Sequence, residues 1–381
     1  MPAATARHEW RQDRTPASEE ALEATVSREL SVAAFPMLEA CSMGESPSYD
    51  GAVTAMRRPI AAAGIGHSGR LRDLVRQATL AASSHNTQPW KFTLAERSIT
   101  ILPDFTRRTP IVDPDDHHLF VSLGCATENL VHAALASGLH ADVRIHDDSI
   151  DVAFDDTTPV RSPLFDAIPV RQCSRSLYDG RPLTATELRT LEDVAHGDGV
   201  HAVVLTAPPQ IETVLDYVTR GNAAQIGDRA FVDELKTWIR FSEGEAVRTG
   251  DGLFSRTIGN PAVPRWLGSR LLGMLLTPKS ENDKCAKQLR SSAGVIVFVS
   301  DVNDRQHWIE VGRCYERVAL HATTLGIRTA FLNQPVEVAP LRSQFATWLN
   351  LGARRPDLVV RFGRGPEMPR SLRRPIEQVL A

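Results

Sequence analysis

An α+β protein made of two related halves is the fold that this sequence predicts, and three observations favour it. Amphipathic helical patterns alternate with short extended segments in the first part of the chain. A later segment repeats that plan, so that Gly124 recurs 188 positions later as Gly312. Between the two, Thr184 and Glu187 have the spacing of a capping box, which predicts a helix from about residue 185 and the start of the second half.

The first half is expected to contain two helices and two strands. The first helix presents an apolar face with the i, i+3, i+4, i+7 spacing, formed by Leu71, Leu74, Val75 and Ala78. Strands are expected at residues 91–94 and 99–102, after a polar turn that ends this helix. A second helix at about residues 120–137 is closed by Gly138 as a C-terminal cap.

The second half repeats helix, glycine and extended segment in the same order. Its long helix is expected at about residues 307–325, and residues 149–154 have a later counterpart at 357–362. Glycine spacings in Ala-rich helices can also coincide by chance, so that alternative stays open. The further pairs at the same offset are Glu128 and Glu316, Ala134 and Ala322, Gly138 and Gly326, and Leu139 and Ile327.

Three segments are expected along the chain. A weakly structured arm covers residues 1–66, the first half residues 67–160, and the second half residues 161–381. Residues 221–287, called the cover below, are expected to be an insertion in the second half, with a helix at 230–241 followed by a segment rich in glycine and proline. The cover is long enough to form a lid.

Length and composition describe an ordinary globular chain of about two domains, 381 residues long with 42% hydrophobic residues. A formal net charge of −3 argues against a nucleic-acid-binding protein. Five widely spaced cysteines without a Cys-x-x-Cys pair suggest neither a disulfide framework nor a structural zinc site. We expect no segment that crosses a membrane and therefore predict a cytoplasmic protein.

The most informative segment is SSHNTQPW at residues 83–90. Hydroxyl and amide side chains of this kind hydrogen-bond nearby backbone and favour turns. Pro89 directs the chain into the following strand, with Trp90 at the joint. The segment is either a holder for a flat polar ligand or a helix end with a core tryptophan. Four polar side chains crowd into residues 83–88, called the Ser-Asn turn below: Ser83, Ser84, Asn86 and Gln88.

Two basic segments lie in the second half. In RQCSR, Arg171 and Arg175 are expected to point to similar faces of an extended strand, which suits a phosphate or a planar carbonyl edge. The stretch FGRGPEMPRSLRRP at residues 362–375, called the basic tail below, holds a second group of arginines. Surface ion pairs and a solvated tail are the alternatives. The arginines of the basic tail are Arg364, Arg370, Arg373 and Arg374.

Together these three segments resemble the motifs of the nitroreductase-like flavoprotein family, in which they surround FMN at a dimer interface. RQCSR, SSHNTQPW and LRRP at residues 372–375 carry the resemblance, which spans residues 71–380. The turn lies in the first half and both basic segments lie in the second. The resemblance therefore implies a fused, Acg-type pseudo-dimer with one FMN per chain, acting as a monomer or associating as a homodimer.

The resemblance also implies roles for individual residues. Arg171 and Arg175 would contact the pyrimidine edge and the ribityl phosphate region of FMN. Cys173 stands where a Ser or Thr hydroxyl is usual in the family, so one hydrogen bond to the cofactor is expected to be weak or absent. Arg370 and Arg373 would contact the phosphate. The remaining implied cofactor-binding residues are Ser83, Ser84, Asn86 and Gln88 of the turn, and Asn333 and Gln334, beside the flavin N5.

The implied function is an FMN-binding oxidoreductase that takes electrons from NAD(P)H and reduces a quinone, a nitro compound or a similar acceptor by ping-pong transfer. The flavin carries the chemistry, so no catalytic acid or base is expected. A flavin-sequestering protein is the main alternative, and a cofactor-free scaffold is a third. Two further motifs are set aside: a GxGxxG formed by Gly64, Gly66 and Gly69, and a metal site in DPDDHH at residues 113–118.

Overall fold

The computed structural model describes residues 48–60 and 67–381, and these residues form an α+β fold. The strands in chain order are β1 (Trp90–Leu94), β2 (Ser98–Pro103), β3 (Leu139–Ile145), β4 (Ile150–Asp156), β5 (Val200–Leu205), β6 (Ile239–Arg240), β7 (Leu253–Phe254), β8 (Gly294–Ser300), β9 (Arg328–Phe331) and β10 (Arg355–Gly363).

Helices lie on and between these strands. In chain order they are α1 (Tyr49–Met56), α2 (His67–Ala78), α3 (His117–Ala136), α4 (Pro163–Ala167), α5 (Ala185–Val194), α6 (Pro208–Gly227), α7 (Arg229–Trp238), α8 (Glu243–Thr249), α9 (Arg265–Leu275), α10 (Pro278–Arg290), α11 (Arg305–Thr324), α12 (Gln334–Glu337), α13 (Ala339–Trp348) and α14 (Ile376–Val379).

Two four-stranded antiparallel sheets share one topology within the described residues. The first has the order β1-β2-β4-β3 and the second the order β5-β8-β10-β9. In each sheet the strand that follows the long helix lies at an edge and pairs with the chain's next sheet strand. The predicted α+β class with mostly antiparallel sheets is confirmed. The helix predicted at residues 230–241 ends at Trp238. The next two residues form β6, which pairs in parallel with β7 of the cover.

The long helices α3 and α11 pack against each other through two glycines. A Cβ added at Gly124 would lie 1.9 Å from the carbonyl oxygen of Ile309, and a Cβ at Gly312 would lie 1.9 Å from that of Val121. Glycine is therefore required at both positions, because the helix backbones touch. Val121 and Ile309 are themselves 188 positions apart, so the offset that relates the two sequences also exchanges the two contacts.

Helix α3 bears on the expectation that no segment crosses a membrane. By length and apolar composition it is the one helix of the described residues that could span a membrane, with a mean hydropathy of 1.3. However, 78% of its apolar window is buried inside the protein. The apolar residues of α3 therefore serve the core, where α3 packs against α11.

Only part of the predicted arm is described. Residues 1–47 and 61–66, which include Gly64 and Gly66, lie outside the described residues. Residues 48–60 contain α1, whose N-terminus is capped by Ser48, the side chain of which accepts a hydrogen bond from the Gly51 amide at 3.1 Å. The apolar side of α1 packs on the cover and the basic tail. This cluster contains Tyr49, Ala52, Ala246, Phe254 and Leu372.

Candidate functional site

A cavity of ≈ 270 Å³ is lined by residues of both predicted halves. This volume is just below the range of about 300–1,000 Å³ for small-molecule pockets. The cover contributes Gln225, Phe231 and Leu253 to its wall. Gln88 is not among the lining residues. The predicted site residues that do line the cavity are Ser83, Ser84, Asn86, Arg171, Cys173, Arg175, Asn333, Gln334, Arg370 and Arg373.

The Ser-Asn turn has an unusual backbone. His85, Asn86 and Gln88 have φ values of 48°, 54° and 53°, in the left-handed region that favours glycine. Such a conformation costs about 1–2 kcal/mol for each residue other than glycine. Interactions with the surroundings must hold it in place, because local propensity does not.

The side-chain amide of Asn86 joins three chain segments. Its Nδ2 donates to the carbonyl oxygens of Gly252 in the cover, at 3.0 Å, and Leu372 in the basic tail, at 3.2 Å. Its Oδ1 accepts from Arg373 Nη1 at 3.0 Å. The amide is therefore committed to protein groups, although Asn86 lines the cavity.

Gln88 makes a similar set of contacts behind the cavity wall. Its Nε2 donates to the carbonyl oxygen of Gly250 at 2.9 Å, and its Oε1 accepts from the Arg374 amide at 2.8 Å. The side chain is fully buried. In this structure Gln88 positions the turn, and its predicted contact with the cofactor remains a prediction.

Arg171 lines the cavity from the second half. Its Nε lies 2.8 Å from Oε1 of Glu316, a fully buried carboxylate on α11, and its Nη2 donates to Leu80 O at 2.9 Å. Burial opposes the charged form, but Glu316 outweighs it and raises the pKa of Arg171. Nη1 of Arg171 is buried and has no hydrogen-bond partner among the described residues. Arg171 thus keeps one enclosed N–H group that no described residue accepts from.

Arg373 is surrounded by carbonyl groups. Its Nε donates to Thr79 O at 2.7 Å, and its Nη2 donates to Leu80 O and Ala81 O, both at 3.0 Å. Leu80 O therefore accepts from both Arg171 and Arg373. Burial, and then repulsion from Arg57 and Arg171, lowers the pKa of Arg373 well below its usual value. Arg373 places a positive charge beside the cavity while bracing the end of α2.

Sequence inspection missed Arg57, which also lines the cavity. Its Nη2 donates to Ser371 O at 2.8 Å. Burial, together with repulsion from Arg370 and Arg171, lowers the pKa of Arg57 to about 10. Arg370 lies in the same wall, and its Nη1 donates to Pro169 O at 3.0 Å. The guanidinium groups of Arg57, Arg171, Arg370 and Arg373 therefore all belong to residues that line the cavity. Glu316 is the buried carboxylate that pairs with Arg171.

The RQCSR segment lies beside β9. Cys173 forms a parallel bridge with Thr329, and the Ser174 amide donates to Thr329 O at 2.9 Å. The Cys173 thiol is free and half-buried. Arg175 also borders the cavity. Burial, with Arg175 and His118 nearby, lowers the pKa of His85 to about 4.

A buried group of histidines and acids adjoins the cavity at the DPDDHH segment. Ligand atoms of Asp113, His117 and His118 all lie within 4.8 Å of one another. His117 Nε2 is 2.9 Å from Asp357 Oδ1, and His118 Nδ1 is 3.4 Å from Asp113 Oδ1. Within the group, these atoms are hydrogen-bonded to one another and to Asp357.

Asn333 determines how neutral His118 is protonated. Its Oδ1 accepts from the Val359 amide at 3.0 Å, so its Nδ2 must be the group that faces His118 Nε2 at 3.2 Å. Nε2 is then the acceptor, and the imidazole proton lies on Nδ1, toward Asp113. Asn333 thus positions His118, while its predicted place beside the flavin N5 remains a prediction.

Gln334 and Glu337 complete this side of the cavity. Gln334 Nε2 donates to Asn222 Oδ1 at 3.0 Å, and its buried Oε1 has no hydrogen-bond partner among the described residues. Burial raises the pKa of Glu337, whose carboxylate accepts from Gln225 Nε2 of the cover at 2.6 Å. Sequence inspection missed Glu337 because one acid in a short helix carries no recognisable pattern.

No family model matches the sequence. Rv3131 of Mycobacterium tuberculosis strain H37Rv, provisionally named an NAD(P)H nitroreductase, is 24% identical over 333 residues, covering 81% of this chain and 90% of that protein. MT3217 of strain CDC 1551, with the same provisional name, gives the same values. The chain resembles the nitroreductases.

Solved nitroreductase structures match this chain over a little more than half of its length. The nitroreductase-like family protein from Bacillus cereus is 13% identical, with a TM-score of 0.35, and the match covers 58% of this chain and 96% of that chain. NfnB from Mycobacterium smegmatis, an FMN-dependent nitroreductase in complex with NADPH, is 11% identical, with a TM-score of 0.34 and coverage of 53% and 87%.

Proposed function

We propose that this chain is an FMN-binding oxidoreductase of the nitroreductase-like family that takes electrons from NAD(P)H and passes them to a small acceptor such as a quinone or a nitro compound. The similarity to proteins provisionally named NAD(P)H nitroreductases over 81% of the chain supports the class. The cavity supports the cofactor, because residues from the Ser-Asn turn, RQCSR and the basic tail all line it.

The guanidinium cluster is the observation that carries the proposal. Arg57, Arg171, Arg370 and Arg373 line one end of the cavity, and Glu316 is the buried carboxylate that pairs there. Burying like charges together is unfavourable unless an anion offsets them. A phosphate group provides that charge and accepts charge-assisted hydrogen bonds, one of them from the unpartnered Arg171 Nη1. The residues present therefore fit the phosphate end of FMN.

The protein's part in the reaction is to bind, orient and exclude water. Bound FMN would supply the hydride chemistry. Arg171 and Arg175 stabilise negative charge that develops near the cavity wall, more strongly there than in water. The cover residues Phe231 and Leu253 exclude water from the opposite side. His118 Nδ1 faces Asp113 and Nε2 faces Asn333, so the neutral imidazole holds its proton on the side of Asp113.

We further propose that the chain is a fused pseudo-dimer with one cofactor site. Glu128 and Glu316 occupy equivalent positions on α3 and α11 but have different partners. Glu316 pairs with Arg171 at the cavity, whereas Glu128 is closed off by Arg313 at 3.2 Å and Arg317 at 2.8 Å. Arginines of α11 thus take the place beside Glu128 that Arg171 takes beside Glu316. This difference supports one site per chain. A cytoplasmic location, and a monomer or a homodimer, remain predictions.

Flavin sequestration is the second candidate, and the cover favours it. Gly250 and Gly252 of the cover are hydrogen-bonded to the side chains of Gln88 and Asn86, and the Gly252 amide donates to Asn86 O at 3.1 Å. The cover is therefore tied to the same turn that borders the cavity. A cover fixed in this way would hold FMN while limiting the approach of NAD(P)H.

Visible absorption and anaerobic reduction test these proposals. The purified protein should carry FMN, and NADH or NADPH should bleach it in the absence of oxygen. Retention of FMN without bleaching by either nucleotide would favour sequestration, and failure to bind added FMN would contradict both candidates.

The role of Arg171 is tested by a pair of substitutions that leaves no unpaired buried charge. The double variant Arg171→Gln with Glu316→Gln should lose bound FMN, because it replaces a buried ion pair with two neutral amides. Arg181→Ala, at an exposed arginine, is the control and should retain it. Full retention of FMN by the double variant would contradict the assignment of Arg171.

A further inference from the structure

We propose that Arg57, which follows the C-terminus of helix α1, binds the phosphate group of the cofactor, so that residues 48–60 form part of the site. This inference rests on the proposed FMN binding. It adds a binding residue from outside the three motifs on which that proposal is based. The ligand chemistry is that of a phosphomonoester dianion.

Helix α1 is fixed against the part of the basic tail that lines the cavity. Tyr49 Oη donates to Arg370 O at 2.6 Å, and Arg57 Nη2 donates to Ser371 O at 2.8 Å. The Arg373 amide lies 3.0 Å from Met56 Sδ. These three contacts are made to the tail backbone at residues 370, 371 and 373, and they place Arg57 at the cavity wall.

Shared carbonyl oxygens show that three guanidiniums lie side by side. Ser371 O accepts from Arg57 Nη2 at 2.8 Å and from Arg373 Nη1 at 3.4 Å. Leu80 O accepts from Arg373 Nη2 at 3.0 Å and from Arg171 Nη2 at 2.9 Å. Arg57, Arg373 and Arg171 therefore form a continuous row of positive charge.

The positive charge of this row of arginines is only partly balanced by carboxylates. Glu316 pairs with Arg171, but no carboxylate of the described residues forms an ion pair with Arg57. Arg373 has most of its donors directed at carbonyl oxygens, so it contributes charge more than free donors. Arg57 and Arg171 are then the members of the row best able to donate to a phosphate, from opposite ends.

The neighbouring arginine offers a matched control. Arg58 has a side chain that is 69% exposed and lies 4.0 Å from Asp73, away from the cavity lining. Arg57→Ala and Arg58→Ala remove the same charge from adjacent positions at the C-terminal end of α1. Any effect of net charge or of helix propensity should therefore be similar in the two variants. The effect of losing a direct contact with the phosphate should appear only in Arg57→Ala.

Titration of the flavin-free protein with FMN and with riboflavin, which lacks the phosphate, tests the proposal. Arg57→Ala should weaken FMN binding by about 10- to 100-fold, as expected for a lost charge-assisted hydrogen bond, and leave riboflavin binding unchanged. Arg58→Ala should change neither. Arg57→Lys should restore part of the FMN affinity, because it keeps the charge but not the planar fork.

Each outcome is decisive. Unchanged FMN affinity in Arg57→Ala would overturn the inference, and so would an equal loss of FMN and riboflavin affinity, which would indicate a structural role. Failure of the unsubstituted protein to bind FMN would instead contradict the proposed function itself. Hydrogen exchange supplies a second readout in the unsubstituted protein. Exchange of residues 48–60 should slow with FMN and not with riboflavin, and equal slowing with both would overturn the inference.

Discussion

The side chain of Asn86 joins three chain segments that border the cavity. Its amide links the Ser-Asn turn to the cover and the basic tail, and its oxygen accepts from the buried guanidinium of Arg373. Removing one partner from such a set leaves several buried groups unsatisfied, which costs more than the bond itself gains. The polar residues of the turn therefore matter for stability as well as for binding.

Asn86→Ala should lower the free energy of unfolding by about 2–4 kcal/mol, because it removes three buried hydrogen bonds, to Gly252 O, to Leu372 O and from Arg373. Urea unfolding measures the change. Asn350→Ala is a matched control, since Asn350 is exposed and has a φ of 56°. Both substitutions place alanine in the left-handed region, so the difference between them isolates the hydrogen bonds. Equal losses would contradict the linking role of Asn86.

The helix pair α3 and α11 depends on close backbone contact at the scale of elements. At Gly124 the nearest atoms to an added Cβ are Ile309 O at 1.9 Å and Ile309 C at 2.8 Å, and at Gly312 they are Val121 O and Val121 C at the same distances. Backbone atoms cannot rotate away as side chains do. The helices must therefore separate if either glycine gains a side chain.

Gly124→Ala and Gly312→Ala should each destabilise the protein by about 2–3 kcal/mol, with similar values because the contacts are equivalent. The double variant should lose less than the sum, since the first alanine already separates the helices. Thermal or urea unfolding measures these changes. Gly273→Ala on α9, where an added Cβ meets nothing within 4 Å, should instead stabilise slightly. Additive losses would argue against a shared contact.

The cover is fixed by a buried carboxylate as well as by the turn. Asp251 accepts from Arg107 of the first half and from Arg240 of β6 at 3.0 Å and 2.7 Å. Burial opposes the charge, but these arginines outweigh it and lower the pKa of Asp251. One carboxylate thereby connects the cover to the first half.

Asp251→Asn should loosen the cover and increase the rate at which NADH or NADPH reduces bound FMN, by several-fold if access limits the reaction. Stopped-flow absorption under anaerobic conditions measures the rate. Asp233→Asn, at an exposed ion pair on α7, should have no effect. An unchanged rate in Asp251→Asn would show that the cover does not limit access.

At the scale of the whole molecule, a buried ion cluster joins the two long helices, α3 and α11. Glu128 on α3 accepts from Arg313 and Arg317 on α11. Burial opposes the charge of Glu128, but His132 and the two arginines outweigh it and lower the pKa of Glu128 from 4.5 to about 2. A carboxyl group with a lowered pKa in the folded state stabilises that state above its unfolded pKa. The contribution disappears as the pH falls through the folded value.

Stability should therefore decline between about pH 4.5 and pH 2, with Glu128 contributing roughly 2–3 kcal/mol of that decline. Urea midpoints measured across this range give the slope. Glu128→Gln should be less stable at pH 7 and should show a shallower decline, whereas Glu377→Gln, at an exposed carboxylate, should follow the unsubstituted protein. The same slope in Glu128→Gln would contradict the assignment.

Part of this site could be predicted from the sequence because its residues lie in short motifs. The Ser-Asn turn, RQCSR and the basic tail do meet at one cavity, with Asn86 and Arg171 connected through Arg373 and Leu80. The offset of 188 positions marked Gly124 and Gly312 as equivalent, and the structure adds that each contacts the other long helix.

Other parts could not be predicted, for physical reasons. The direction of an amide side chain depends on partners brought near by folding, so the pattern could not show that Gln88 faces Gly250. The pairing of Arg171 with Glu316 joins residues far apart in sequence, although Glu316 had been noticed as a repeat position. Arg57 lies beside an exposed arginine just after a short helix, and nothing local in the sequence distinguishes the two.

Because both glycines of the helix contact belong to one polypeptide, a substitution enters that contact only once. In a symmetric homodimer the same substitution would appear on both sides and its effect would be doubled. Each side of this interface can therefore be altered separately, in the laboratory or by natural variation. Graded weakening of the contact is accessible here through single changes, whereas two identical subunits would permit only paired ones.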